Sequence, residues 1–259
     1  MFDRLTKILV DVGSTLVELS ALGPIEGTWA DSTQFKAEAD RIAHDRLIEA
    51  LGALTPNLPV VSEEDAVHDR VRPTRYWLID PIDGTASYAG GFDGFVTQAA
   101  LMDTGVPVVA AIHAPALELT YYAEKGQGAY LNGNRLNVKA GDPDRVVLID
   151  NYPEPRGTAL AALNELSMTG YVESGSIALK ICRVADGKAD LFFKNVTLRD
   201  WDVAPGELIL REAGGVMTGI DGAPFPYHGD WEKPGVIAAR AQPLLDCFKV
   251  WHNKSFLRT

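Results

Sequence analysis

Cysteine is almost absent. The chain has two, Cys182 and Cys247, in 259 residues, and neither belongs to a CxxC pair or to a spacing that reads as a disulfide framework. That excludes a disulfide-stapled scaffold and fits a reducing compartment. Both thiols are expected to be small buried apolar residues. Basic charge is also scarce, since 24 Lys and Arg stand against 35 Asp and Glu, for a formal net charge of −11. A protein that grips a nucleic-acid polymer needs a basic footprint, so that class is excluded, whereas small phosphorylated substrates are not. No apolar run reaches the roughly 18 residues of a membrane span. The opening "MFDRLTKILVDVGSTLVEL" is interrupted by Asp11 and lacks signal-peptide architecture, so it reads as an amphipathic helix of a cytoplasmic protein. Internal repeats, low-complexity tracts and Pro/Ser linkers are missing, and the five histidines show no metal-ligand spacing.

What is present is ordinary globular material: 46% hydrophobic and 23% charged residues, enough for a sizeable core and too apolar for disorder. Residues 36–54 read as a helix with Ala43, Leu47, Ile48, Leu51 and Leu54 on one stripe, and Asp40 at the edge of that face. Short strands are expected at 59–61 and 75–80. A meander follows over 95–138, with turns at Thr104-Gly105 and Asn132-Gly133. Beyond residue 140 helices and strands alternate. Strands are expected at 145–150, 189–194 and 235–240. Helices are expected at 157–168, 176–187, 202–213 (stopped by Gly214-Gly215) and 241–252. The pattern divides the chain into two closely packed halves, an α+β half over 1–140 and an α/β half over 141–259.

The chemistry concentrates in "YWLIDPIDGTASY". A buried-looking strand ends in Asp80 and Asp83, with Pro81 holding the backbone of Asp80 extended and Gly84 permitting a sharp turn. A short helix after it would aim N–H groups and Thr85 at one spot, which suits a phosphate. Two such aspartates about 4 Å apart repel by roughly 4 kcal/mol at an effective dielectric near 20. A shared proton, a basic partner or a metal must offset this. Glu63, just past a short strand, and Asp202, at a helix start, lie in similar settings. Taken alone, Asp202 also reads as a structural helix-capping acid, and Glu63 as a solvated loop acid. Hard oxygen donors without His or Cys favour Mg²⁺ over Zn²⁺.

The segments "WLIDPIDGTASY" and "WDVAPGELILREAGG" resemble the two signatures of the inositol monophosphatase superfamily of Mg²⁺-dependent, Li⁺-sensitive phosphatases. "VVSEED" and "GSIALKICRVADGKAD" resemble its flanking motifs, and the resemblance runs from about Lys36 to Ala239. It implies an α/β (α+β layered) fold, the αβαβα five-layer sandwich, and a homodimer. It also implies two or three Mg²⁺ held by Glu63, Asp80, Asp83, Asp202 and the carbonyl of Ile82. Asp40 and Thr85 would activate the attacking water, with Glu63 counted among the catalytic groups. Asp83, Gly84, Thr85 and Asp202 would meet the phosphate. Two departures stand out: Pro205 replaces a usual Ala or Gly, expected to be neutral in a first helical turn, and Ala37 replaces a frequent Thr.

Within the superfamily the resemblance leans towards the 3′(2′),5′-bisphosphate nucleotidases, on "LTPNLPVVSEED", on Lys194 where inositol enzymes carry a Glu, and on Lys180. Ser176, Lys180 and Lys194 would then contact the nucleotide. The reaction would be adenosine 3′,5′-bisphosphate to AMP and phosphate, serving sulfur metabolism. The alternatives are an inositol-1-phosphate or sugar-phosphate phosphatase, and a non-catalytic phosphate-ligand-binding protein on the same scaffold.

Overall fold

The apolar stripe of the N-terminal segment decides the first layer. The computed structural model describes residues 2–22, 32–66, 68, 71–138 and 145–256. Helix α1 (Phe2–Leu22) buries Leu5, Leu9, Val12 and Leu16, which recur every three to four residues. Helix α2 (Ser32–Leu54) buries Ala43, Leu47 and Leu51, with Ile48 and Leu54 partly covered. Asp40 is also buried.

These helices cover one face of a seven-stranded sheet. Its strands are β1 (Val60–Ser62), β2 (Arg75–Asp83), β3 (Val96–Asp103), β4 (Val106–Ala114), β5 (Leu119–Glu124), β6 (Gly128–Leu131) and β7 (Asn134–Arg135), adjacent in chain order. Only β1 and β2 are parallel. Thr104-Gly105 and Asn132-Gly133 all take positive φ, the backbone of tight hairpin turns. Strand alternation splits the apolar residues between two layers. Trp77, Ile79, Ala99, Leu101 and Ala111 meet α1 and α2. Tyr76, Leu78, Ala100, Met102 and Ile112 face the opposite side.

The rest of the chain comprises the short helix α3 (Thr85–Ala89), then β8 (Val147–Asp150), α4 (Gly157–Glu165), β9 (Gly170–Glu173), α5 (Ile177–Ala185), β10 (Leu191–Lys194), β11 (Leu198–Arg199), α6 (Asp200–Ala213), β12 (Val216–Gly219), β13 (Glu232–Lys233), β14 (Val236–Ala239) and α7 (Gln242–Phe256). A five-stranded sheet runs in the order β12-β14-β10-β8-β9, and β11 pairs with β13 apart from it. Helices α5 and α6 fill the space between the two large sheets, where Ile181, Val184, Leu208 and Ile209 meet Val147, Phe192 and Ala238. On the outer face, Ala159 and Ala162 of α4 and Leu245 and Phe248 of α7 pack on Leu148, Phe193 and Ile237. The layers are therefore αβαβα, as the resemblance implied. The expected division at 140/141 lies outside the described residues. Cys182 is buried as expected, but Cys247 is exposed on the outward side of α7. No helix among the described residues is long and apolar enough to cross a membrane.

Pro205 corrects one expectation. Helix α6 begins at Asp200, two residues earlier than the sequence pattern indicates, so Pro205 lies in its second turn rather than its first. There a proline removes the N–H that would reach the carbonyl four residues back, that of Trp201. The buried side chain of Gln98 on β3 supplies the missing donor, its Nε2 donating to Trp201 O at 3.0 Å. Replacing Gln98 by Leu should leave that carbonyl unpaired in the core and cost about 1–3 kcal/mol in urea unfolding. Adding Pro205→Ala restores a backbone donor and should recover part of the loss. Equal stability of Gln98→Leu and wild type would remove this account.

Candidate active site

Strand β2 creates the site by a defect in its pairing. Asp80 lies opposite Gln98 on β3, and Asp83 lies opposite Val96, so three steps along β2 match two along β3. One extra residue is therefore bulged between the aspartates. In a regular strand, residues three apart point to opposite faces. The bulge turns Asp83 to the same face as Asp80, towards α5 and α6. The sequence pattern ends this strand at Asp80, whereas it continues through Pro81 to Asp83. Pro81 has no N–H to offer the ladder, which makes it a natural bulge residue.

Glu63 arrives by parallel register. Ser62 of β1 pairs with Ile79, and Glu63 N donates to Ile79 O at 3.2 Å, so the next residue on each strand, Glu63 and Asp80, lie side by side. Asp202 arrives from α6. It accepts a hydrogen bond from Arg199 N at 2.7 Å, so it does cap the helix start, and the same side chain also reaches the acid cluster. Carboxylate oxygens of Glu63, Asp80 and Asp202 all lie within 4.8 Å of one another, a grouping that can hold a metal ion. Asp83 turns aside from that group. Its Oδ2 accepts from Ala178 N at 2.9 Å, at the start of α5, where Ser176 Oγ caps the helix by accepting from Leu179 N.

The two helix N-termini are held by a close backbone crossing. A Cβ on Gly175 would lie 2.2 Å from Gly94 O, and Ser176 N donates to that same carbonyl at 2.6 Å. Gly84 takes φ +83° and backs onto Ser176. Only glycine fits at these contacts. Thr85 Oγ1 donates to the Ile82 carbonyl at 3.2 Å. That carbonyl retains a second lone pair.

The electrostatics are those of buried, like charges. Burial pushes the Asp80 carboxyl well above the usual range, and Glu63, Asp83 and Asp202 add repulsion. Asp202 is pushed up to about 8, first by burial and then by Asp83. Glu63 is raised by burial, with Arg199 opposing from 3.7 Å. Asp83 is raised by burial, partly offset by the α5 N–H groups and by Lys180. Asp40 is raised to about 7 by burial and by Glu64, with a smaller push from Glu63, which sets it within electrostatic reach of the cluster. The fully buried Asp80 Oδ1 has no hydrogen-bond partner among the described residues. Native proteins rarely leave such an atom unpaired. An orphaned buried carboxylate oxygen among hard oxygen donors fits a divalent cation.

The lysines are disposed differently from one another. Lys180 is fully buried, its ammonium donating to Gly175 O and to Asn151 Oδ1 at 2.7 Å. Burial, the largest cause, pulls it down to about 7. Its ammonium thus lies beneath the α5 N-terminus with no exposed surface, held by the Gly175 carbonyl and Asn151. Lys194, partly exposed, donates to Asp150 Oδ1 at 2.8 Å and to Asn151 Oδ1 at 3.3 Å. Sequence reasoning missed Gln98, Arg199, Asp150 and Asn151. Gln98 alone carried a signal, as a lone amide in the apolar run "FVTQAALM".

A sequence model described as the inositol monophosphatase family matches residues 18–252. The chain belongs to the inositol monophosphatase family. Among its relatives, a 3′(2′),5′-bisphosphate nucleotidase CysQ of Aggregatibacter actinomycetemcomitans is 35% identical over 201 residues, covering 74% of each chain. A putative Nus factor SuhB of Neisseria meningitidis serogroup B is 30% identical over 242 residues, covering 90% of this chain and 91% of that one. Among solved structures, an IMPase of Thermotoga maritima superposes with a TM-score of 0.73 at 27% identity, covering 92% and 91% of the two chains. Nucleotidases, SuhB proteins and inositol monophosphatases are thus all near this member of the inositol monophosphatase family.

Proton counting sets the sign of a pH effect. A carboxyl raised by folding binds more protons folded than unfolded between its two pKa values. Its contribution to stability is therefore lost as pH rises from the ordinary range, about 4, through the folded value. For Asp202 that value is about 8. In EDTA, the stability difference between wild type and Asp202→Asn should shift against wild type as pH rises across this window. Mg²⁺ should raise the wild-type Tm more at the alkaline end than at the acid end. An equal Mg²⁺ effect at both ends would show that these acids are not its ligands.

Proposed function

We propose that this chain is a Mg²⁺-dependent phosphomonoesterase acting as a 3′(2′),5′-bisphosphate nucleotidase that converts adenosine 3′,5′-bisphosphate to AMP and phosphate. The observation that carries the reaction class is the convergence of Glu63, Asp80 and Asp202 on one point, with the buried Asp80 Oδ1 unpartnered among the described residues. Glu63, Asp80 and Asp202 would hold the cation, with Asp83 and the Ile82 carbonyl beside them. Bound there, Mg²⁺ supplies neutralisation of phosphoryl charge and acidification of a water.

The protein's own groups do the rest. The Gly84 turn would present N–H groups towards the phosphate position, and Asp83, accepting from Ala178 N, ties that turn to the start of α5. Asp40, raised to about 7, is poised near neutrality to take a proton from the attacking water. The water oxygen forms the new bond to phosphorus, the P–O bond to the nucleoside breaks, and the departing oxygen gains a proton. The CysQ relative and the cation at Lys194 support a substrate with a second phosphate. A second reading, an inositol- or sugar-phosphate phosphatase, draws on the ion pair of Lys194 with Asp150. An already neutralised lysine beside Asn151 offers a polyol both donors and acceptors.

The test is kcat/KM in Mg²⁺ for adenosine 3′,5′-bisphosphate beside inositol 1-phosphate and fructose 1,6-bisphosphate. A large preference for the nucleotide is expected, and a preference for either sugar phosphate would overturn the substrate assignment. Asp83→Asn keeps an oxygen to accept from Ala178 N and should remain folded. It should lose on the order of 10³-fold in turnover. Near-normal Mg²⁺-dependent activity in that variant would remove Asp83 from the site, and no phosphate release by wild type from any ester would favour a non-catalytic binding protein.

A further inference from the structure

Three polar residues at the ends of two neighbouring strands of the second sheet form one connected group beside the phosphate cradle. Asp150 closes β8, Asn151 follows it, and Lys194 closes β10. Asp150 is fixed by the sheet: it pairs with Glu173 of β9, and its carbonyl accepts from Ser174 N at 2.9 Å. Asn151 Oδ1 accepts from both Lys194 and the buried Lys180, and Lys180 also donates to Gly175 O. Lys180 lies within electrostatic reach of Asp83 on one side and of Lys194 and Asp150 on the other, which sets the group next to the site. The ammonium of Lys194 is the partly exposed cation here, and its nearest partner is the Asp150 carboxylate, at 2.8 Å.

We propose that Asp150 is a specificity-determining residue, a resident counter-ion that a substrate's second anionic group must displace from Lys194. The inference rests on the nucleotidase reading only in naming that group as a nucleotide phosphate. Its physical basis is that specificity is a difference of affinities. A substrate with one phosphate leaves the pair intact and gains nothing from Lys194. A bisphosphate gains the phosphate–lysine contact minus the pair it breaks, because the side chain of Lys194 can turn outward while Asp150 stays in the sheet. The pair thereby lowers the discrimination that a bare lysine would give, and removing the charge of Asp150 raises it. Asn151 Oδ1, which accepts from both ammonium groups, remains a partner for Lys194 when the pair opens.

Asp150→Asn tests this directly, because it retains an oxygen to accept from Lys194 and removes only the charge. Asp150→Ser serves as a second variant, and thermal unfolding checks that each is folded. Two readouts are taken on the full-length protein: the ratio of kcat/KM for adenosine 3′,5′-bisphosphate over adenosine 3′-phosphate in Mg²⁺, and the affinity for AMP beside adenosine by calorimetry. The ratio is expected to rise roughly tenfold, the factor given by ~1.4 kcal/mol, and through KM rather than kcat. AMP should tighten by a similar factor and adenosine should not, and adding Lys194→Met should cancel both gains. An unchanged or lower ratio together with unchanged AMP affinity would overturn the role of Asp150 and leave the nucleotidase reading intact. Failure of every form to hydrolyse either nucleotide would overturn the nucleotidase reading. Tighter AMP binding by Asp150→Asn would even then support the displaceable pair, and its absence would end both.

Discussion

Carboxylates within 4.8 Å of one another, Asp80 buried and Glu63 and Asp202 partly buried, repel strongly, and much of the surrounding architecture holds them there. Each arrives on a different rigid element. Parallel register delivers Glu63, a strand delivers Asp80, and a helix start delivers Asp202. None can retreat without breaking backbone pairing, so the cost of their proximity falls on whatever binds among them. Their raised proton affinities express the same fact: without a cation the cluster holds protons instead. Pre-organised repulsion of this kind is a direct route to selecting a small divalent ion, since a monovalent partner such as Arg199, 3.7 Å from Glu63, relieves it only in part: Asp202 is still pushed up to about 8.

The single extra residue between Asp80 and Asp83 has consequences well beyond local geometry. It places Asp83 on the face of α5, where the carboxylate ties the end of β2 to the start of that helix. That attachment requires α5 to approach closely, which explains the paired glycines Gly94 and Gly175, whose backbones leave no room for a Cβ. The neighbouring residue in the same register, Gln98, looks across to α6 and repairs the carbonyl that Pro205 leaves free. Two adjacent strands, β2 and β3, therefore connect to the two central helices through polar contacts in an otherwise apolar layer. Burying such groups is favourable only when they are paired, so α5 and α6 are bound to one arrangement rather than to a family of similar packings.

Legibility in the sequence followed the strength of local periodicity. The amphipathic first helix, the meander with its Thr104-Gly105 and Asn132-Gly133 turns, and the alternation of helices and strands after residue 145 were readable because each pattern repeats within one element. The two-residue strands β11 and β13, and the half-buried β9, were not, because so short a segment has no period of its own and exists only through its partners. The bulge was invisible for the same reason, since register belongs to two strands at once. The identities of the acids were readable, but not that Asp83 turns to α5 while three others converge. The burial of Lys180 was also hidden: a lysine at a helix start reads as solvated, and only the packing of Gly175 and Asn151 around it makes it a core residue.

The same distinction separates reaction class from substrate. At the acid cluster several independent elements impose one sign of charge, and Arg199 beside Glu63 offsets only part of it. At Lys194 the charge is set by one pair. A lysine alone favours an anion, a lysine bound to Asp150 and Asn151 favours neither an anion nor a neutral polyol decisively, and the outcome turns on how readily that pair opens. An arrangement governed by a balance this fine can pass between bisphosphate and monophosphate esters by altering one residue. That is consistent with a bisphosphate nucleotidase and an IMPase both being similar to this chain.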